Sequence, residues 1–194
     1  MYTIRNKNDS VGFDRFSFTR LDAIMDIQKD NRMYMQIALL TSRRSYARRL
    51  KVGCVIVKNH SIISFGWNGM PTGYDNCCEM EGENGELVTR PEVQHAELNA
   101  IAKLAENGYS SKGAAIFITH SPCIHCALLI QKCGITEVYY HKLYRSDEGL
   151  RFLRNAGVKV EALSDVEAPY LPGETWEDED PIVPQPVDPL STLA

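Results

Sequence analysis

The sequence predicts a three-layer α/β/α domain on a five-stranded mixed sheet, and three observations carry that prediction. Short β-rich apolar runs alternate with segments of helical period between about residues 52 and 162. Such alternation implies a largely parallel sheet covered on both faces. The first two runs are separated only by Asn59-His60, a tight turn that makes them a hairpin and adds an antiparallel neighbour. Each later helical segment stops just before a glycine, at Asn107-Gly108, Cys133-Gly134 and Ala156-Gly157.

Taken in order, residues 1–18 are polar, carry no apolar period and read as an N-terminal arm. Thr19 offers a helix cap, with Asp22 three residues on, ahead of Leu21, Ile24 and Met25. A break at Asp30-Asn31 separates this helix from a second, in which Met33, Ile37 and Leu40 share a face until about Arg44. Strands are expected at 52–58 and 61–67. Residues 69–94, rich in glycine and acids, form a long loop, and loops of that length inside a domain usually carry function. From His95 the period turns helical through Leu98, Ile101, Ala102 and Ala105. A strand at 115–120 follows, after which Ser121-Pro122 supplies an N-cap and a first-turn proline for the next helix. A strand at 135–140, a helix opened by Ser146, Asp147 and Glu148, and a strand at 158–162 complete the series. The domain is thus placed at 19–164. Residues 165–194 hold six of the nine prolines and the run Glu177-Asp178-Glu179-Asp180, so they read as an extended acidic tail.

The net charge of −4 hides an asymmetry: nine acids and no Lys or Arg fall in residues 161–194. Twenty-one Lys and Arg against sixteen acids leave residues 1–160 at +5. That modest excess suits a phosphate-bearing small ligand and argues against long nucleic acid as partner. The longest apolar runs fall far short of the roughly 20 residues of a membrane-spanning helix. Met1-Tyr2-Thr3-Ile4-Arg5 does not begin a secretion signal. The expectation is a cytoplasmic protein whose six cysteines are metal ligands, catalytic groups or buried thiols rather than disulfides.

Two motifs carry chemistry. His95-Ala96-Glu97 opens one helix and Pro122-Cys123-Ile124-His125-Cys126 opens the next. His95, Cys123 and Cys126 make three metal ligands, which leaves one coordination position open, the count of a catalytic rather than a structural zinc. Helix N-termini favour the thiolate form of the two cysteines. Glu97 is too close in sequence to His95 to serve as a fourth ligand, yet can act as proton shuttle, help typically worth ~10²–10⁴-fold. His120 and His125 read as supporting or surface groups, and Cys54 and Cys133 as buried thiols. H-x-E followed by P-C-x-x-C is the signature of zinc-dependent nucleobase deaminases.

The chain resembles the deoxycytidylate deaminase family, of cytidine deaminase-like fold, and particularly its phage and bacterial members. Besides the two motifs, the resemblance rests on Arg44-Ser45, Arg49 and Val52-Gly53-Cys54-Val55-Ile56-Val57, on Gly66-Trp67-Asn68-Gly69-Met70-Pro71-Thr72-Gly73, and on Asn76-Cys77-Cys78-Glu79. It extends over about residues 31–162. It implies hydrolytic deamination of dCMP to dUMP with Zn²⁺ as cofactor and Glu97 as catalyst. Substrate contacts are implied for Asn68, the Ala96 backbone, Ser121, Pro122, Tyr140 and Tyr144, with Arg49 as phosphate partner. The resemblance further implies allosteric control by dCTP as activator and dTTP as inhibitor, each with Mg²⁺, at Asn68, Gly69, Met70, Pro71 and Gly73, in a homohexamer. Cys77 and Cys78 raise the question of a second metal. The rival readings are a deaminase for another cytosine or adenine context, and a non-catalytic zinc-stabilised nucleotide sensor.

Overall fold

A computed structural model describes residues 20–169. The N-terminal arm and the chain beyond residue 169 lie outside the described residues. Strands β1 (Gly53–Lys58) and β2 (Ser61–Trp67) form the expected hairpin. Asn59 and His60 both take positive φ, 51° and 59°, the conformation a two-residue turn needs to match strand twist. Strands β5 (Ala115–His120), β6 (Glu137–Lys142) and β7 (Lys159–Ala162) complete one sheet in the order β2-β1-β5-β6-β7. The β1–β5 pair is antiparallel and β5, β6 and β7 run parallel, so the sheet is mixed. Strand β6 starts two residues later than its apolar run, because the Ile135 amide turns back to the Ile130 carbonyl and closes the preceding helix. Two short strands, β3 (Glu79–Glu81) and β4 (Leu87–Thr89), pair within the segment expected to be loop only.

The period-2 alternation of β1 sorts its side chains between two cores. Cys54 and Ile56 join Ile116, Ile118, Ile130 and Leu153 beneath α2 (Ala96–Glu106), α3 (Ile124–Lys132) and α4 (Glu148–Asn155). Val55 and Val57 join Tyr34, Met35, Ala38, Phe117 and Tyr139 beneath α1 (Arg20–Ser42) on the other face. The rings of Phe117 and Tyr139 stack there, 4.6 Å between centroids. The result is the three-layer arrangement.

The two expected N-terminal helices are one helix, α1, with no break at Asp30-Asn31. Asp and Asn inside a helix cost less than about 1 kcal/mol each, which burial of Tyr34, Met35 and Ala38 against the sheet outweighs. Asp30 also lies 3.4 Å from His60, whose carbonyl accepts from the Tyr34 hydroxyl. Residues assigned from sequence to the tail remain packed at its start: Asp165 pairs with Arg32, and Val166 is buried in the α1-side core. Among the described residues no helix is long and apolar enough to cross a membrane.

Candidate active site

Two helix N-termini meet at the end of β5. His95 is the N-cap of α2, and Cys123, not Ser121 as the sequence led us to expect, is the N-cap of α3; Cys126 lies one turn further on. Both cap residues have extended backbones, with φ/ψ of −73°/154° and −67°/168°, so their side chains swing off the helix starts. The Ser121 hydroxyl instead accepts a hydrogen bond from the Tyr144 amide at 2.8 Å. Two glycines permit this approach. A methyl group at Gly66 would stand 2.3 Å from the Ala96 carbonyl oxygen, and one at Gly149 would stand 2.2 Å from that of Pro122. Cys54 Sγ donates to the same Ala96 carbonyl at 3.2 Å, and Ser64 Oγ to that of Ala100 at 2.8 Å. The α2 start is therefore held from β1 and β2, and the α3 start from α4.

His95 Nδ1 lies 3.6 Å from Cys123 Sγ and 3.4 Å from Cys126 Sγ, and all three donor atoms fall within 4.8 Å of one another. Tetrahedral zinc with Zn–N and Zn–S bonds of about 2.0 and 2.3 Å separates its ligand atoms by about 3.5 Å, so the three donors fit one such ion. Hydrogen bonding from the Cys126 thiol and His95 lowers the Cys123 thiol well below its ordinary pKa. Cys126 is raised by its bond to Cys123 and by burial. His95 is raised, chiefly by Cys123. Among the described residues this is the one group of three or more such donors. Cys77 and Cys78 stand outside it, and all six cysteines are free of disulfides.

Glu97, on the first turn of α2, is only 4% exposed, and burial raises its carboxyl pKa. It lines an open cleft together with His95, Ala96, His120, Ser121 and Cys123. Desolvation lowers His120, with Lys142 and His141 adding to the effect.

The remaining candidates divide. Asn68 and Tyr144 are on the cleft wall, whereas Pro122, Tyr140 and Arg49 are not. Asn68 also braces the wall: its Oδ1 accepts from the Val52 amide at 2.7 Å and its Nδ2 donates to the Leu50 carbonyl at 2.8 Å. Arg49 reaches the rim, where Nη1 donates to Oγ1 of the cleft residue Thr89 at 3.1 Å. Arg44 is drawn away, over the Trp67 ring. Gly69 pairs through backbone hydrogen bonds with Gln94, which anchors the 69–73 loop one residue from His95. Sequence reasoning gave no role to Leu50, Glu79, Thr89 or Val93, all on the wall. Glu79 had a signal, since it ends the Asn76-Cys77-Cys78-Glu79 segment; the others had none.

Residues 28–142 match the family model described as the cytidine and deoxycytidylate deaminase zinc-binding region. Deoxycytidylate deaminase of Enterobacteria phage T4 is 36% identical over 165 residues, covering 65% of this chain and 86% of that protein. Human deoxycytidylate deaminase is 36% identical over 121 residues, 59% of this chain and 67% of its own. The crystal structure of dCMP deaminase from cyanophage S-TIM5, in complex with dCMP and dUMP, superposes with a TM-score of 0.64 at 43% identity, covering 71% of this chain and 97% of that one. On the match of the zinc-binding region and of these relatives, the chain belongs to the cytidine and deoxycytidylate deaminase family.

Proposed function

We propose that the chain is a zinc-dependent hydrolase that converts dCMP and water to dUMP and ammonia. The observation that carries this reading is the convergence of His95, Cys123 and Cys126 on one ion-sized volume beside the buried carboxyl of Glu97. Zinc held by these residues supplies a water acidic enough to attack at neutral pH. Glu97 takes one proton from the attacking water and passes it to the ring nitrogen N3, then takes the remaining hydroxyl proton as the C4 carbonyl forms and delivers it to the amine that leaves C4. Its raised pKa suits a group that must both accept and return a proton. A C–O bond thus replaces the C–N bond.

The other site residues bind. The Ala96 amide, among the α2 amides without an acceptor inside the helix, contacts the pyrimidine edge. Asn68 contacts the sugar or base from the wall, and Tyr144, fixed through Ser121, closes the cleft over it. Arg49 at the rim offers its planar fork to the 5′-phosphate. The 69–73 loop, tied to Gln94, takes dCTP or dTTP with Mg²⁺ in a homohexamer, where binding of effector and substrate alter each other reciprocally. We place the enzyme in the cytoplasm, where six free thiols persist.

Ammonia release from dCMP, deoxycytidine and a cytosine oligonucleotide tests the reading. The expected order puts dCMP first, with zinc required; a preference for either of the others overturns it. The same assay with each triphosphate, alongside sedimentation to give the assembly size, tests the regulation.

A further inference from the structure

Glu79 is a carboxylate in the wall of the cleft, 6% exposed, on the first residue of β3. Its Oε1 accepts two hydrogen bonds, from the backbone amides of Arg48 at 3.0 Å and Arg49 at 3.1 Å. Those amides lie between α1 and β1, outside any helix or strand. A segment of this kind depends on side chains for its hydrogen bonds, and two consecutive amides aimed at one anionic oxygen hold their residues tightly. Directly across the β3–β4 pair from Glu79 stands Thr89, whose hydroxyl accepts from Arg49 Nη1. Arg49 is therefore gripped at both ends by one pair of facing strand residues, its backbone by Glu79 and its guanidinium by Thr89.

Two strands of three residues each have little stability of their own. The hairpin is braced by Arg90, whose side chain pairs with Asp75 at 3.0 Å and whose amide donates to the Cys78 carbonyl at 2.9 Å. The grip is thus part of an anchored unit.

We propose that Glu79 is a positioning residue for phosphate recognition: by clamping the Arg48 and Arg49 amides it sets the Arg49 guanidinium at the cleft rim, where the 5′-phosphate of the substrate docks. This rests on the dCMP reading above. It assigns to Glu79 a contribution that depends on the phosphate of the substrate and leaves proton transfer at the ring to Glu97.

The test reads kcat/KM on dCMP and on deoxycytidine for zinc-loaded enzyme. In Glu79→Ala the ratio of the two falls about tenfold or more, the scale of one charge-assisted contact. In Glu79→Gln, which keeps an acceptor oxygen for both amides, most of the ratio returns. In an Arg49→Ala background Glu79→Ala lowers the ratio no further, because the two residues act as one unit. Equal losses on both substrates, an additive loss in the double variant, or a Gln variant as impaired as the Ala variant each overturn the proposal. Should Glu79→Ala fail to fold, Glu79→Asp, one methylene too short to hold both amides, carries the same reading, and an unchanged ratio there overturns it. If the unsubstituted enzyme itself does not prefer dCMP to deoxycytidine, the dCMP reading fails first, which separates the two outcomes.

Discussion

Glu97 and His120 face the same cleft with opposite electrostatic histories, and each yields a test. Glu97→Gln removes the carboxyl to which we assign proton transfer while leaving His95, Cys123 and Cys126 in place. Turnover of dCMP is expected to fall ~10²–10⁴-fold, while bound zinc, read by metal analysis of the purified protein, stays at the wild-type level; unchanged turnover assigns the proton to another group. Burial lowers the His120 pKa, so its folded value lies below its unfolded one. The unfolded chain then binds the extra proton as pH falls through about 6.5, and His120 lowers stability progressively below that pH. Urea midpoints measured at pH 7 and pH 5 should show a smaller drop for His120→Asn than for wild type, and an equal drop contradicts the assignment. The convergence of His95, Cys123 and Cys126 was legible in sequence because each motif sits at a helix start, where spacing fixes direction. The Asn76-Cys77-Cys78-Glu79 segment marked Glu79 without a role, and His120 was read only as a supporting or surface group, since their place on the wall depends on which strands and loops approach.

Among the elements, the close approach of α4 to the α3 start is the most sensitive. Gly149→Ala sets a methyl group against the Pro122 and Cys123 carbonyls, 2.2 and 3.0 Å away. Overpacking of that kind costs about 1–3 kcal/mol, and here the backbone that must yield belongs to Cys123, to which we assign zinc binding. The expected outcome is a lower thermal midpoint together with faster zinc transfer to a colorimetric chelator; a variant with wild-type zinc release shows that the loop yields elsewhere. Strand runs, the hairpin turn and the glycine stops were readable from local chemistry, and all five main strands lie at or within two residues of their expected positions. What the sequence misplaced were boundaries decided by tertiary packing. The Asp30-Asn31 pair interrupts the pattern of α1 without ending it, and Ser121, a good cap by residue type, is engaged by Tyr144 so that Cys123 takes the cap.

For the molecule as a whole, packing continues beyond the last strand. Val166 is 2% exposed against the α1-side core, and the Pro169 carbonyl accepts from Arg43 at 2.8 Å. A chain ending at residue 169 should therefore keep zinc and turnover. One ending at residue 165 loses the burial of Val166, worth about 1.5–3 kcal/mol, and its thermal midpoint should drop measurably below that of the longer chain. Equal midpoints show that Val166 adds nothing.

His95 and Cys123 stand 28 positions apart and start different helices, so an ion held between them, as we propose, would tie the middle of the chain to itself across β5. A copy synthesised under zinc starvation would lack that tie and should open its interior to proteases more often. Cellular abundance of the protein should then follow the metal supply at constant messenger level.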